Sequence, residues 1–215
     1  MGSEITETTR LTKRFEEALV YSTQLHAFQK RKAANIPYIA HLLGVTSLVL
    51  EDGGDEDEAI AALLHDAVED QGGEKTLDEI RRRFGERVAM IVQGCTDSST
   101  LPKPPWQERK ENYIAHLSCA IPEVRRVSLA DKLYNARAFL KTYRQIGVIT
   151  WERFTGGREG TLWYYRTLVN IFKQTGDDYM TAELERVVSE LERLVNVAGS
   201  AVPSNSYGFG FSGPE

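Results

Sequence analysis

Apolar residues recur at helical spacing along almost the whole chain, and no segment alternates apolar and polar residues over the length of a strand. No Asn-Gly hairpin turn is present either. A chain patterned this way buries its apolar surface by packing helix against helix. The pattern predicts an all-α fold, a single-domain bundle of about eight to ten helices. The 215 residues, 41% of them hydrophobic, suffice for one sizeable core.

Turn and capping residues divide the pattern into elements. A first helix is expected from Leu11 to Ala33, with Phe15, Ala18, Leu19 and Ser22 on one side and Pro37 marking its exit. A second runs from Ile39 to Leu50. The acidic stretch EDGGDEDE at 51–58 then leads into a third helix, Asp57 to Asp70, stopped by Gln71-Gly72-Gly73. Thr76 and Glu79 have the spacing of a capping box, and Gly85 is placed to end the helix that follows. Next come a helix from Glu86 to Gly94, a polar loop from Thr96 to Pro105, and helices from Trp106 to Ala120 and Glu123 to Ile146. Two more helices follow the GGREG turn at 156–160, the last ending near Ala198. Residues 1–10 and 199–215 lack core periodicity and are expected to be flexible ends around one domain at 11–198.

Composition narrows the partners. A net charge of −5 without a basic stretch argues against nucleic acid, so an anionic ligand must be attracted by local Lys and Arg or by a metal. Cys95 and Cys119 form no CxxC pair, which speaks against a disulfide framework or a cysteine zinc site and suits a reducing cytoplasm. No apolar signal core opens the chain and no run of about 18 uncharged apolar residues occurs, so no membrane association is expected. The opening MGSEIT fits the myristoylation pattern, which is short enough to recur by chance.

The third helix carries His65, Asp66, Glu69 and Asp70 within six positions. Ile60, Leu63, Leu64, Ala67 and Val68 form its core stripe, and the polar four lie on the other side. An amphipathic helix ordinarily turns such residues to water. Ala59 and Ala62 share the polar side one turn earlier, however, where an exposed helix would carry Lys, Glu or Gln, so that side is expected to be covered. A covered ionised carboxylate needs a cation, a metal or a shifted pKa. Two distant segments offer further ligands: His41 at the start of the second helix, and Asp131, which with Asn135 lies off the Leu129, Leu133, Ala136, Leu140 stripe. Alone, each reads as a capping or salt-bridging residue. Together, two imidazoles and two carboxylates make a mixed shell suited to Mn, Fe or Zn.

A His, then His-Asp two dozen residues on, then a distal Asp inside an apolar helix resembles the HD phosphohydrolase superfamily. Residues from about 15 to 140 are similar to the hydrolase domain of RelA/SpoT-type proteins, in particular the small stand-alone alarmone hydrolases. The matching stretches are HAFQKRK at 26–32, PYIAH at 37–41, AALLHDAVED at 61–70 and LADKLYN at 129–135. The resemblance implies an HD-type helical bundle in which His41, His65, Asp66 and Asp131 hold one Mn²⁺, with Zn, Fe and Mg as other candidates, while Glu69 and Asp70 position and activate water. It places Arg31, with Lys30 and Lys32, beside a guanine base, and Asn135 near the ribose. Lys103, Lys132, Arg109 and Arg137 are candidate cations for phosphate charge. The implied reaction removes the 3′-pyrophosphate of (p)ppGpp, with a guanine nucleotide as small-molecule partner; a homo-oligomer stays open. The chain departs from that pattern at Leu42, where a proline is usual, at Gln71-Gly72-Gly73, where Thr commonly follows the Asp, and in the TGGREGTLWYY segment at 155–165. These departures keep open another nucleotide substrate, such as a nucleoside monophosphate, a deoxynucleotide or NADPH, and a nucleotide-sensing or antitoxin-like binding module.

Overall fold

The computed structural model describes residues 9–32, 35–97, 102–176 and 179–200. Most of what was expected of the two ends falls on residues 1–8 and 201–215, outside the described residues. The described chain runs through α1 (Lys13–Leu25), α2 (Ile39–Glu51), α3 (Glu56–Leu64), α4 (Ala67–Gln71), α5 (Glu74–Phe84), α6 (Glu86–Cys95), α7 (Trp106–Cys119) and α8 (Pro122–Ile146). A 3₁₀ segment (Gly147–Arg153), α9 (Gly157–Thr175) and α10 (Tyr179–Ser200) follow. This is the all-α bundle that the apolar spacing predicts, with no strand among the described residues beyond an isolated bridge between Lys30 and Pro37. No helix among them is long and apolar enough to cross a membrane.

Helix α3 is the centre of the bundle. Asp55 caps its N-terminus in a reciprocal box with Glu58, and Ala59 through Leu64 are all 0% exposed. Three alanines in that run let α1, α2, α6 and α8 approach closely. The expected cover over Ala59 and Ala62 is therefore present. Burying leucines such as Leu63, Leu64 and Leu133 completely contributes about 1.5–3 kcal/mol each, and such contacts hold the helices around α3. Helix α8 serves two clusters. Val127, Leu129, Ala130 and Leu133 join the main core, whereas Phe139, Leu140 and Tyr143 pack with Trp151, Leu162, Leu191 and Val195 in a second, smaller one.

Four local expectations are corrected. The first helix stops at Leu25 rather than Ala33. Past Leu25 the next positions of its stripe are His26 and Gln29, polar residues that bond each other and, through Gln29, Asp70 on α4, so no apolar face packs a longer helix. The backbone is satisfied instead by Arg31 N–H to the Ile36 carbonyl and Tyr38 N–H to the Gln29 carbonyl, both at 3.0 Å. The predicted helix over 57–70 breaks at His65-Asp66 into α3 and α4. There His65 Nδ1 donates to the Ala62 carbonyl at 2.8 Å, the acceptor a continuous helix would offer to the Asp66 N–H. Thr76 caps nothing, because Gly73 at φ 62° caps α5 three residues earlier and the Thr76 hydroxyl bonds the Gln71 carbonyl. Most of GGREG is the first turn of α9 rather than a connecting turn.

Candidate metal centre

The break between α3 and α4 shapes the site. Adjacent side chains on a continuous helix diverge, yet His65 Nε2 and Asp66 Oδ2 lie 3.1 Å apart. His41, in the first turn of α2, brings its Nε2 to 3.4 Å from Asp66 Oδ2 and 3.2 Å from Asp131 Oδ1 on α8. His65 Nε2 is 3.6 Å from the same Asp131 oxygen. Donor atoms of His41, His65 and Asp66 thus lie within 4.8 Å of one another, and Asp131 Oδ1 on α8 approaches both imidazole nitrogens. Both imidazoles are almost fully buried, and neither Nε2 makes a hydrogen bond.

That arrangement fits a divalent cation. Because the Ala62 carbonyl can only accept, His65 Nδ1 carries the proton in the neutral ring and Nε2 turns a lone pair toward two carboxylates. A bare nitrogen beside two carboxylate oxygens in a buried pocket is unfavourable unless a positive charge stands between them. Without a metal, that charge is a proton. Burial works to lower the His65 pKa, but Asp66 and Asp131 outweigh it and raise it well above the usual histidine value. Burial works to raise the two carboxyls, and they are nevertheless held well below the usual range: Asp66 chiefly by His65 and His41, and Asp131 chiefly by Lys132 and the same imidazoles.

The candidate ligands are themselves held. Tyr38 donates its hydroxyl to Asp66 Oδ2 at 2.6 Å, and its ring meets His41 edge-on at 5.5 Å. Asn135 Nδ2 and Lys132 Nζ donate to the two oxygens of Asp131 at 2.5 and 2.6 Å. Gly44, one turn after His41, is required for close approach: a Cβ there would lie 2.0 Å from the Tyr134 ring, which packs against His41.

The other expected residues are distributed around this floor. Glu69 and Asp70, on α4, flank the cluster. Glu69 Oε1 accepts from Lys103 Nζ at 2.6 Å, and Asp70 Oδ2 accepts from Gln29 Nε2 at 2.7 Å. Burial, followed by the nearby Asp66 charge, raises the Asp70 pKa. Arg31 Nη2 donates to Asn135 Oδ1 at 2.5 Å with its guanidinium 5.6 Å from the Tyr38 ring, while Lys30 and Lys32 are exposed beside it. Lys132 is the counter-ion of Asp131, half-buried over the Tyr113 ring. Arg109 bonds Asp97, and Arg137 turns away to Glu183 on α10 at 3.3 Å. Arg158 pairs with Glu159 on the surface, and Tyr164 and Tyr165 are packing aromatics in the main core. Tyr38, Gln29 and His26 lie within the matching stretches, and their contacts depend on non-helical bonds among residues 26–31 and 36–38, which helical periodicity does not reveal.

Known proteins resemble the chain in sequence and in fold. A guanosine-3′,5′-bis(diphosphate) 3′-pyrophosphohydrolase of Xenopus tropicalis is 43% identical over 124 residues, which cover 56% of this chain and 66% of that protein. The chain thus spans just under two thirds of the length of that relative. A protein of the same enzymatic name from Aquifex aeolicus is 38% identical over 124 residues, which are only 17% of its length. Among solved structures, one described as a metazoan ortholog of SpoT that hydrolyzes ppGpp superposes with a TM-score of 0.70 at 26% identity, over 85% of this chain and 98% of that one. Residues 18–160, which contain every ligand of the candidate centre, match the HD domain, and the chain belongs to the HD domain family.

Proposed function

We propose that the chain is a metal-dependent pyrophosphohydrolase that removes the 3′-pyrophosphate of (p)ppGpp, giving GDP or GTP and pyrophosphate. The observation that carries this reading is the convergence of two unpartnered buried imidazole nitrogens with two carboxylates, flanked by Glu69 and Asp70. The similarity to proteins named for that activity supports the substrate. His41, His65, Asp66 and Asp131 would hold one Mn²⁺, a choice in keeping with their mixed nitrogen and oxygen donors. When bound, such an ion acidifies water and draws charge from phosphoryl oxygens. The protein works in a reducing, cytoplasmic compartment, in keeping with its two free cysteines.

The chain's own groups do the rest. Glu69 and Asp70, each one turn beyond a ligand, accept the proton of the attacking water and return one to the leaving ribose oxygen. Water is added across the bond between the ribose 3′ oxygen and the pyrophosphate, so both products carry a share of it. Lys103 moves between Glu69 and the phosphates, and Lys132 keeps Asp131 ionised. Arg31, held by Asn135 at the pocket edge, presents a planar cation to the guanine, with Lys30 and Lys32 adding charge.

The test is pyrophosphate and nucleotide release from ppGpp, with GTP, dGTP, GMP and NADPH in parallel, by metal-stripped protein with and without Mn²⁺. Selective Mn-dependent conversion of ppGpp to GDP and pyrophosphate is the expected result. Turnover of another nucleotide alone would replace the substrate, and none on any would leave a binding module.

A further inference from the structure

The hydrolytic reading leaves one buried group unused. His26 is 3% exposed, stacks on Tyr38 with ring centroids 5.1 Å apart, and has a buried Nε2 without a hydrogen-bond partner. Its Nδ1 lies 2.7 Å from Gln29 Oε1, which also receives Gln71 Nε2 at 2.5 Å. Gln29 Nε2 donates to Asp70 Oδ2 at 2.7 Å.

Donor logic fixes the sense of this chain of bonds. An ionised carboxylate only accepts, so the Gln29 amide must turn its NH₂ toward Asp70 and its oxygen toward His26 and Gln71. His26 must then donate from Nδ1, which leaves Nε2 bare. Two donors on the Gln29 oxygen lock its amide plane, and hydrogen bonds in series polarise one another. The backbone reinforces the lock, since the Gln29 carbonyl accepts the Tyr38 N–H at 3.0 Å and the Tyr38 hydroxyl reaches Asp66. Tyr38 therefore touches the carboxylate that would hold the metal, and Gln29, bonded to it through the backbone, touches the one that would handle the water's proton.

We propose that Gln29, clamped by His26 and Gln71, is a positioning residue that orients Asp70 for the attack of water. This rests on the hydrolytic reading of the site. Gln29 touches neither substrate nor metal; it acts only through Asp70, so its effect vanishes when Asp70 is absent.

The experiment is a double-mutant cycle with Gln29→Met and Gln29→Glu, each alone and with Asp70→Ala, read as kcat, KM, bound metal and Tm. Gln29→Met is expected to lower kcat about 10–100-fold, the usual effect of removing an outer-shell partner, with bound metal unchanged and KM within about twofold. Gln29→Glu still accepts from His26 and Gln71 but cannot donate to Asp70, and falls as far. In the Asp70→Ala background neither change lowers kcat further. Full activity in Gln29→Glu would reduce Gln29 to a tie between the turn and α4, and multiplicative losses with Asp70→Ala would overturn the proposal. If the unsubstituted protein releases no pyrophosphate from ppGpp, the functional reading fails separately, and the coupling is read in Tm: shifts that fall short of additive keep the Gln29–Asp70 link, and additive shifts sink it.

Discussion

Asp66 and Asp70 lie one helical turn apart, yet they belong to differently built regions. Asp66 stands on a floor whose candidate ligands come from helices anchored by fully buried residues: Leu42 beside His41, Leu64 beside His65, and Ala130 and Leu133 around Asp131. Asp70 stands on a rim where side-chain bonds do the holding, from Gln29 to Asp70, Lys103 to Glu69 and Arg31 to Asn135. Close packing leaves the floor little freedom to relax, whereas polar bonds at a partly exposed rim are individually weak and exchangeable with water. A rigid floor suits a metal, which needs its ligands within tenths of an ångström. An adaptable rim suits the proposed nucleotide, for which Lys103 would leave Glu69 while Arg31 stays on Asn135.

If floor and rim divide the work in this way, substitutions should separate metal binding from turnover. The largest effect is expected from Asp66→Ala, which removes a ligand and should leave no metal bound after gel filtration and no activity; a protein that kept both would place the centre elsewhere. Glu69→Ala should lower kcat about 10²–10⁴-fold, the range for losing a general acid–base group, while metal analysis still finds the ion. Loss of the metal along with activity would blur the distinction. Tyr38→Phe deletes only the hydroxyl on Asp66, and should weaken the metal about 10–100-fold in a competition titration without altering the helical circular dichroism. Arg31→Ala, on the rim, should raise KM for ppGpp roughly 3–30-fold, as losing a cation–π stack of about 0.5–2 kcal/mol would, with little change in kcat. An unchanged KM would move the base pocket away from the 26–38 turn.

Floor and rim also differ in how far the sequence discloses them. His65 and Asp66 share a polar side with Ala59 and Ala62, which betray a covered face, and Asp131 lies off the apolar stripe of its helix, so a covered polar site follows from patterns that packing enforces. The rim follows from no such pattern. Periodicity carries the first helix on to Ala33, and only a long-range side-chain bond shows that Gln29 meets Asp70, 41 residues away in the chain. The kink at His65-Asp66 was hidden for a related reason: a histidine that bonds a carbonyl three residues back has the same place on a helical wheel as one that does not.

By itself, the sequence determined the helical class, most helix boundaries and the set of candidate ligands, because burial of apolar area acts on every residue and leaves a periodic record. Tertiary structure alone decided that α3 ends at Leu64, that Tyr38 and Gln29 reach two different carboxylates, and that Lys132 serves Asp131. Those outcomes depend on directional bonds between segments far apart in the chain, and a hydrogen bond that forms only at one distance and angle leaves no period to read.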